Sequence, residues 1–522
     1  MSDNPYLQEI RANLPRLLSL FDSDRTSASY GMGDRYHWAW GLIDFGNATF
    51  QGAAHGMAQL WAAGIWPYGT SKTKFLARID ALVQAANRLT RRDGSLEEAF
   101  PHEGSYCVTA LVAFDLLCAL DLLDAEIRPV QRVHWQDCIR PMIRYLVNAD
   151  ETHALISNHL ATAVAALARW HRRTGEAQAE HKGQQLLARI LAHQSDEGWF
   201  CEYQGADPGY QSLCTYYLAD VHRTRPDWQL LEPLRQSIRF LHYFAHPDGT
   251  FGGLYGSRCT RFYYPAGVLA LGDDIPEAQA LASFMEITIA QQRTVTLSAM
   301  DEPNLIPMFN AYAWAAAQRH QHPQPNSQST PQPIPATSPA SIRRWFPEAG
   351  LLIDRGPRHY SLISTHKGGV VYHFVDQQQA RIDVGIVMRD PRGRLGSTQG
   401  SNPGNRVTRT ETALQINAPF TAMPRQLPGP LQFLIIRLLS LTAFQSRPLR
   451  EWIKRRLVSL LITRKKTWPV SNQRKINLGP CLSIQDSPTS VPGYHCEPDP
   501  GAFVPIHMAS QGYWQIHDEQ QA

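Results

Sequence analysis

Apolar positions between residues 5 and about 320 recur mainly every three or four residues, which is the spacing of amphipathic helices. Glycine, proline and Asp-Gly pairs interrupt this pattern and mark the helix ends. The pattern predicts about twelve helices, the number needed for six antiparallel helical hairpins closed into a ring. The predicted helices span residues 5–22, 47–64, 72–90, 105–122, 130–148, 157–174, 180–194, 210–222, 228–245, 262–271, 275–292 and 305–320.

The period changes from three or four to two after a segment rich in proline, glutamine and serine at residues 321–341. Such a segment buries too little apolar surface to fold and is predicted to be a linker. Alternation beyond it predicts strands at residues 350–356, 360–366, 370–374 and 382–387. We therefore predict an α+β chain with an (α/α)6-type helical toroid at residues 1–320 and an antiparallel β-sandwich at residues 342–522.

Residues 431–468 interrupt the β pattern with a helical composition, nine basic residues and a single acid, Glu451. One interpretation is a helical insertion that packs on the sandwich and leaves its basic ends in water. The other is a basic amphipathic unit that docks on an anionic membrane surface or an acidic glycan.

The chain has 522 residues, more than a single core usually holds, and so fits two domains. Its 50 basic and 46 acidic residues nearly cancel, which argues against nucleic acid as a partner. Eight cysteines without a CxxC pair are interpreted as reduced thiols. Residues 1–21 lack a signal-peptide pattern, so we expect a cytoplasmic protein, with peripheral contact to the inner membrane as an open alternative.

Three residues in two stretches mark the candidate site. Asn158 and His159 open a predicted helix of mostly small residues, and Tyr210 opens another helix 51 residues after His159. We interpret the two stretches as halves of one site. Each residue also has a structural alternative: Asn158 as a helix cap, His159 as a buried hydrogen-bonded histidine, and Tyr210 as a first-turn aromatic that packs on its neighbours.

The loops between the predicted helices are unusually aromatic and polar, and loops carry function on a rigid scaffold. Aromatic side chains suit the apolar faces of sugar rings, although many aromatics in helical proteins only fill the core. The predicted substrate-binding residues are Tyr36, His37, Trp38, Trp40, Glu98, Glu103, Trp199, Tyr255 and Arg258.

A helical ring followed by a β-sandwich, with Asn158-His159, Tyr210 and His366 in this order, resembles the heparinase II/III and oligoalginate lyase group of polysaccharide lyases. The resemblance implies β-elimination at a uronic acid of an acidic polysaccharide, in a bacterial biosynthesis or turnover system. It implies that Asn158, aided by Arg258, neutralises the substrate carboxylate, and that Tyr210 acts as base, acid or both. His159 and His366 take the remaining proton-transfer or orienting roles.

One position departs from the group's pattern. Related heparinases carry a His-x-His arrangement where this chain has His366-Lys367-Gly368, so the second imidazole is absent, and Lys367 is a candidate to replace its charge. A structural metal in the sandwich therefore lacks support, and no cofactor is predicted.

Two other functions remain open from the sequence. A glycoside hydrolase on a helical toroid needs two carboxylates that flank the bond, and the loops supply Glu98, Glu103, Asp207 and Asp248. A non-catalytic glycan-binding or assembly protein at the membrane face of a polysaccharide synthesis system is the third interpretation, which the basic insert favours.

Overall fold

The computed structural model describes residues 4–39, 41, 43–151, 154–203, 205–322, 333–423, 429–458 and 467–498. Its helices before the predicted linker are α1 (Pro5–Leu18), α2 (Arg35–Trp38), α3 (Ala53–Ala62), α4 (Lys72–Leu89), α5 (Tyr106–Leu122), α6 (Pro129–Asn148), α7 (Ser157–Thr174), α8 (Ala177–Leu191), α9 (Pro208–Thr224), α10 (Leu231–Leu241), α11 (Pro265–Ala270), α12 (Pro276–Ala290) and α13 (Glu302–Gln321). Apart from the four-residue α2, each corresponds to one of the predicted helices.

Six of these helices form a closed inner ring. Contacts run from α3 to α5, α7, α9, α11 and α13 in turn, and α13 contacts α3. The inner helices are buried almost all round, as α5 and α7 show, whereas outer helices such as α8 and α10 bury one stripe. This arrangement confirms the predicted helical toroid.

Two glycines show how closely the inner helices approach one another. A Cβ added at Gly267 of α11 would lie 2.5 Å from the Cα of Tyr216 in α9. A Cβ at Gly56 of α3 would lie 2.4 Å from the ring of Phe309 in α13. A larger side chain at either position would push neighbouring helices apart.

Asn310 of α13 closes the ring by bonding to the backbone at the start of α3, the first inner helix. Its Oδ1 accepts the amide of Gly56 at 2.9 Å, and its Nδ2 donates to the carbonyl of Gly52 at 3.0 Å. The side chain is almost fully buried, so it contributes two buried hydrogen bonds between the last inner helix and the first.

The C-terminal part forms two antiparallel sheets, which confirms the predicted β-sandwich. The first sheet is a meander of β1 (Ile342–Phe346), β2 (Leu351–Arg355), β3 (His359–Ser364), β4 (Val370–Val375) and β5 (Gln378–Asp383). The second contains β6 (Val387–Arg389), β7 (Leu395–Ser397), β8 (Arg406–Arg409), β9 (Ala413–Ala422), β10 (Thr467–Asn477), β11 (Ser483–Pro488) and β12 (His495–Cys496). Its order is β11-β10-β9-β7-β6-β12, with β8 also paired to β9.

The strand predicted at residues 382–387 is wrong as a single element. Asp383 ends β5 and accepts the amide of Gly385, whose φ of +87° turns the chain into the second sheet. β5 instead begins four residues earlier, after a hairpin turn in which Asp376 and Gln377 both have positive φ. Neither turn residue is the glycine that usually marks such a hairpin.

The first sheet is covered on both faces. Tyr360, Leu362 and Phe374 belong to the core that continues into the toroid, whereas Ile363 and Val371 face the second sheet. Alternating residues of β3 and β4 therefore serve two different layers.

Polar contacts add to this joint between the toroid and the sandwich. The hydroxyl oxygen of Tyr372 accepts the amide of Leu254 at 3.1 Å. The buried Lys367 places its Nζ 3.0 Å from Cys259 Sγ, in the toroid loop that follows Leu254.

The predicted insert comprises α14 (Pro430–Leu441) and α15 (Arg447–Val458), while Trp468 already belongs to β10. The interpretation that it packs on the sandwich is wrong, because the insert contacts the toroid. Phe444 packs on Phe100 with ring centroids 5.2 Å apart. The Arg450 guanidinium is buried and donates to the carbonyl of His102 at 3.3 Å. Of the predicted linker, residues 323–332 lie outside the described residues, as do residues 459–466 of the insert.

Replacing Asn310 by alanine is expected to lower the free energy of unfolding by about 1–3 kcal/mol, since it removes two buried hydrogen bonds between inner helices. Urea unfolding of the purified variant measures the effect. Asn304→Ala on the same helix is the control, because Asn304 only donates to Asp301 at the surface, and it should change stability by about 0.5 kcal/mol or less. Equal losses in both variants would contradict the role given to Asn310.

Candidate active site

The candidate site lies where three inner helices begin. Asn158 and His159 stand in the first turn of α7, and Tyr210 stands in the first turn of α9. The loop at residues 95–105 leads into α5 beside them. Helix N-termini present free backbone N–H groups and partial positive charge, so this end of the ring favours anionic groups.

Asn158 is held by a carboxylate that the sequence did not single out. Glu202 accepts the backbone amide of Asn158 at 3.0 Å and its side-chain Nδ2 at 2.9 Å, one bond to each carboxylate oxygen. The N-cap of α7 is Ile156, the residue before its first turn, so Asn158 is not the helix cap. An amide nitrogen carries two hydrogens, and the bond to Glu202 leaves one for another acceptor.

Glu202 titrates near neutral pH. Burial raises the pKa of Glu202 to about 7, against the lowering effect of its bonds from Asn158 and of the charge on His159. The carboxyl group that orients Asn158 therefore exchanges its proton within the physiological range.

His159 pairs with Glu151, eight residues earlier. Its Nδ1 lies 2.9 Å from a Glu151 oxygen, and 14% of the histidine side chain is exposed. Burial opposes the charged ring, but Cys107 and the Glu151 carboxylate together hold the pKa of His159 well above its usual range. His159 is thus a cation at neutral pH, which fits a charge-stabilising or proton-donating role and not that of a base.

Glu98 and Glu103 lie in the same cluster. Glu103 accepts the backbone amides of Glu98 at 3.2 Å and Ala99 at 2.8 Å. Burial, and then the charge of Glu103, raise the pKa of Glu98 to about 7, while His159 and Lys454 lower it. Lys454 of the insert places its Nζ 3.6 Å from Glu103, so α15 contributes to the edge of the site.

Tyr210 and Arg258 are positioned by one buried carboxylate. Asp207 accepts the amide of Tyr210 at 3.2 Å and the amide of Arg258 at 2.9 Å. Asp207 caps α9, which excludes it from direct work on a substrate in this arrangement. The Arg258 guanidinium lies 4.4 Å from the ring centroid of Tyr203 and is itself largely buried.

Tyr210 does not have the lowered pKa that would let a phenol act as a base near neutral pH. Burial raises the pKa of Tyr210 well above its usual value, and the charge of Arg258 only partly offsets that effect. Tyr210 also packs edge-on against Phe262, with ring centroids 5.3 Å apart. The site therefore holds Tyr210 as a neutral phenol.

Three of the seven described non-glycine residues with positive φ lie in the loops around these residues. His102, Tyr203 and Cys259 have φ values of 62°, 62° and 63°, a region that non-glycine residues rarely adopt. Each belongs to a loop that carries a residue of the cluster: Glu103, Glu202 and Arg258 respectively. Such conformations persist only where surrounding contacts enforce them, and they are frequent at functional sites.

Two predicted sugar-stacking residues lie in the core instead. Tyr255 is 2% exposed, its hydroxyl bonds His246 at 2.8 Å, and its ring packs against Tyr372. Trp199 is 9% exposed and donates its indole N–H to Glu197. Neither ring presents a face to a substrate, so these two assignments are not supported.

The first aromatic loop stands beside the insert. Tyr36 is 58% exposed, His37 Nδ1 lies 2.8 Å from the carbonyl oxygen of Ile43, and Trp38 donates to the carbonyl of Leu20. Of this group only Tyr36 offers an open ring. Trp40, also predicted to bind substrate, lies outside the described residues.

His366 occupies the turn after β3, and its described contacts lie within the sandwich. A Cβ on Gly350 would lie 2.4 Å from the His366 ring, and the His366 carbonyl accepts the amide of Asn402 at 2.8 Å. Burial lowers the pKa of His366, which is therefore neutral at pH 7. The neighbouring Lys367, and not His366, reaches the loop that carries Arg258.

The structure thus brings together Asn158, His159, Tyr210, Arg258, Glu98 and Glu103, and adds Glu151, Glu202 and Tyr203. The added carboxylates had one available signal: each lies eight residues before a residue already chosen at a helix start. Within the described ranges, no group of three or more histidine, cysteine or acidic side chains is arranged to hold a metal ion.

Comparison with known proteins supports the fold. No family model and no curated protein sequence matches the chain. Among solved structures, heparinase III superposes with a TM-score of 0.53 at 10% identity, over 93% of this chain and 71% of that one. The chondroitin AC lyase of Streptomyces coelicolor A3, solved in complex with chondroitin sulphate, gives a TM-score of 0.51 at 9% identity, over 91% of this chain and 64% of that one. The chain shares the fold of these polysaccharide lyases. The predicted resemblance is confirmed at that level.

Replacing Glu202 by glutamine is expected to flatten the dependence of stability on pH. A pKa raised from 4.5 to about 7 means that the contribution of Glu202 is full below pH 4.5 and is lost as the pH rises through 7. The wild type should lose up to about 3 kcal/mol over this window relative to Glu202→Gln. Urea unfolding at a series of pH values measures the difference.

Glu232→Gln, at a glutamate whose side chain is 56% exposed, is the matched control and should follow the wild-type profile. A Glu202→Gln profile with the wild-type slope would show that this carboxyl group does not titrate near neutral pH.

Proposed function

We propose that this protein is a polysaccharide lyase that cleaves a uronic-acid-containing glycan by β-elimination. The observation that carries the proposal is the Asn158 amide, fixed by two bonds to Glu202, in one cluster with His159, Arg258 and Tyr210. The shared fold with polysaccharide lyases supports the choice of substrate class.

The chemistry requires a neutralised carboxylate. Removing the proton at C5 of a uronic acid builds negative charge on the adjacent carboxylate, and preoriented donors stabilise that charge. The remaining N–H of Asn158 is such a donor, and the cationic His159 and Arg258 supply positive charge. The first turns of α7 and α9 add their partial charge to the same end of the ring.

Tyr210 is assigned the proton transfer. As a phenolate it removes the C5 proton, and as the resulting phenol it returns a proton to the departing O4, so the C5–H and C4–O4 bonds break as the C4–C5 double bond forms. Arg258 stabilises the phenolate form. Because Tyr210 is a neutral phenol in the structure, it must lose its proton before it can remove the C5 proton.

Tyr210→Phe and Asn158→Ala are expected to reduce the formation of unsaturated uronides. Loss of a general acid or base costs about 10²–10⁴-fold in rate, and loss of an oriented donor costs about 10²–10³-fold. Ultraviolet absorbance of the C4–C5 double bond, with a panel of acidic polysaccharides, measures the reaction. Tyr68→Phe and Asn148→Ala, at exposed positions outside the cluster, are the controls, and full activity in Tyr210→Phe would refute the assignment.

The lyase rate is expected to rise with pH above neutrality. With the Tyr210 pKa far above 7, the phenolate fraction grows about tenfold per pH unit until another group titrates. Initial rates between pH 7 and about 9 test this expectation. A rate that falls across that range would exclude the phenolate as the base.

A glycoside hydrolase is the second candidate, and Glu98 is the observation that favours it. A carboxylic acid with a pKa of about 7 beside a second carboxylate, Glu103, is typical of the acid in glycoside hydrolysis. Reducing ends without a double bond, and their loss in Glu98→Gln with Tyr210→Phe fully active, would establish that reaction instead.

A further inference from the structure

Helix α14 exposes a large apolar surface. Ser440 is its only buried residue, and six large side chains are between 48% and 73% exposed. They are Leu431, Phe433, Leu434, Ile435, Leu438 and Leu441. Surfaces of this kind on a folded protein mark sites of association.

The dimensions of α14 suit the surface of a bilayer and not its interior. Twelve residues of helix extend about 18 Å, short of the hydrocarbon thickness. Within the part of the chain that the structure describes, no helix has the length and apolar content to cross a membrane. An apolar helix of this length is accommodated where acyl chains meet headgroups.

The charges on the described residues of the insert are basic with one exception. The helix contains no acidic residue, and the following α15 has only Glu451. Arg447, Arg455 and Arg456 are exposed on α15. Trp452 is 50% exposed beneath the Arg456 guanidinium, and tryptophan and arginine together are frequent at the level of lipid headgroups.

We propose that the insert formed by α14 and α15 docks on an anionic lipid bilayer, with the apolar residues of α14 among the acyl chains and the arginines of α15 at the phosphates. The sequence drew attention to the basic residues of this segment. The structure shifts the emphasis, because Arg450 and Lys454 are committed to the toroid and Arg437 pairs with Asp44, whereas the apolar residues of α14 remain exposed.

A bilayer fits this surface better than a second copy of the chain. In a symmetric dimer the apolar surface of α14 would meet the same surface of the second copy, so the arginines of both inserts would face one another. Like charges at such a contact oppose association, whereas acidic headgroups complement them.

Docking would bring the candidate site to the membrane. The insert is fastened to the loop at residues 95–105 by Phe444 on Phe100 and by Lys454 beside Glu103. Glu103 in turn holds Glu98, whose carboxyl group senses the charge of His159. The insert and the site therefore contact the same loop, and, on the proposed function, a glycan attached to or emerging from a membrane is the substrate that this geometry would serve.

Vesicle co-sedimentation of the full-length protein tests the proposal. With phosphatidylcholine vesicles that contain phosphatidylglycerol, we expect the wild type to pellet at low salt and to bind less when the acidic lipid is omitted. A triple variant, Phe433→Ser, Leu434→Ser and Leu438→Ser, should bind at least about tenfold more weakly, because three inserted apolar side chains are lost. The double variant Arg455→Gln and Arg456→Gln should lose mainly the salt-sensitive part.

Val130→Ser with Val133→Ser is the matched control, since these valines are 67% and 56% exposed at the start of α6 and should leave binding unchanged. Circular dichroism establishes that each variant is folded, and light scattering gives its mass. A wild type that stays in the supernatant, a triple variant that binds like the wild type, or a wild-type dimer that the triple variant dissociates would each overturn the proposal. The readout is independent of catalysis, so loss of the lyase assignment leaves this test intact.

Discussion

Close packing of the inner helices is the constraint on which the rest of the molecule depends. Gly267 and Gly56 allow neighbouring helices to approach until backbone or ring atoms are in contact. Asn310 joins the last inner helix to the first through two hydrogen bonds. A ring of this tightness fixes where the inner helices begin. Loops of different length and sequence are consequently delivered to one small area, and the candidate site consists of what those loops carry.

The chemistry of that area follows from burying acidic groups next to a few cations. Glu98 and Glu202 both acquire pKa values of about 7 because burial penalises their charge more than His159 offsets it. The pKa of His159 is also raised, by Cys107 and Glu151 against the effect of burial, and for a histidine this favours the charged form. Small changes in pH thus redistribute protons among several groups, and clusters of groups with shifted pKa values are frequent at functional sites.

Much of the fold was predictable because its signals are periodic and repeated. The helices of the ring appear in the sequence at the correct places, and the change to period two locates the sandwich. The strand near residue 383 failed because Asp376 and Gln377 make a turn without its usual glycine. The prediction that the insert packs on the sandwich failed for a different reason. Helical composition does not indicate which surface a helix packs on, and Phe444 and Arg450 contact the toroid.

The site was predictable only where residues stand at helix starts. Asn158, His159 and Tyr210 have that position in the sequence, whereas the role of Glu202 follows from its bonds to Asn158, which the sequence does not show. Aromatic content was a poor guide, since Tyr255 and Trp199 look like the exposed Tyr36 in sequence but lie in the core. Burial depends on contacts made far along the chain, such as Tyr255 with Tyr372, and these are not encoded locally.

Because the first sheet is covered on both faces, the stability of the toroid and that of the sandwich depend on each other. Without the ring the side chains of Tyr360 and Phe374 would be exposed to water, because the toroid covers the face of the sheet on which they lie. The Pro-rich segment at residues 321–341 therefore separates the two architectures along the sequence, but the toroid and the sandwich are expected to unfold together. Evolution can exchange loops on either unit, but neither half is free to be recombined with another partner unless the replacement offers the same apolar face.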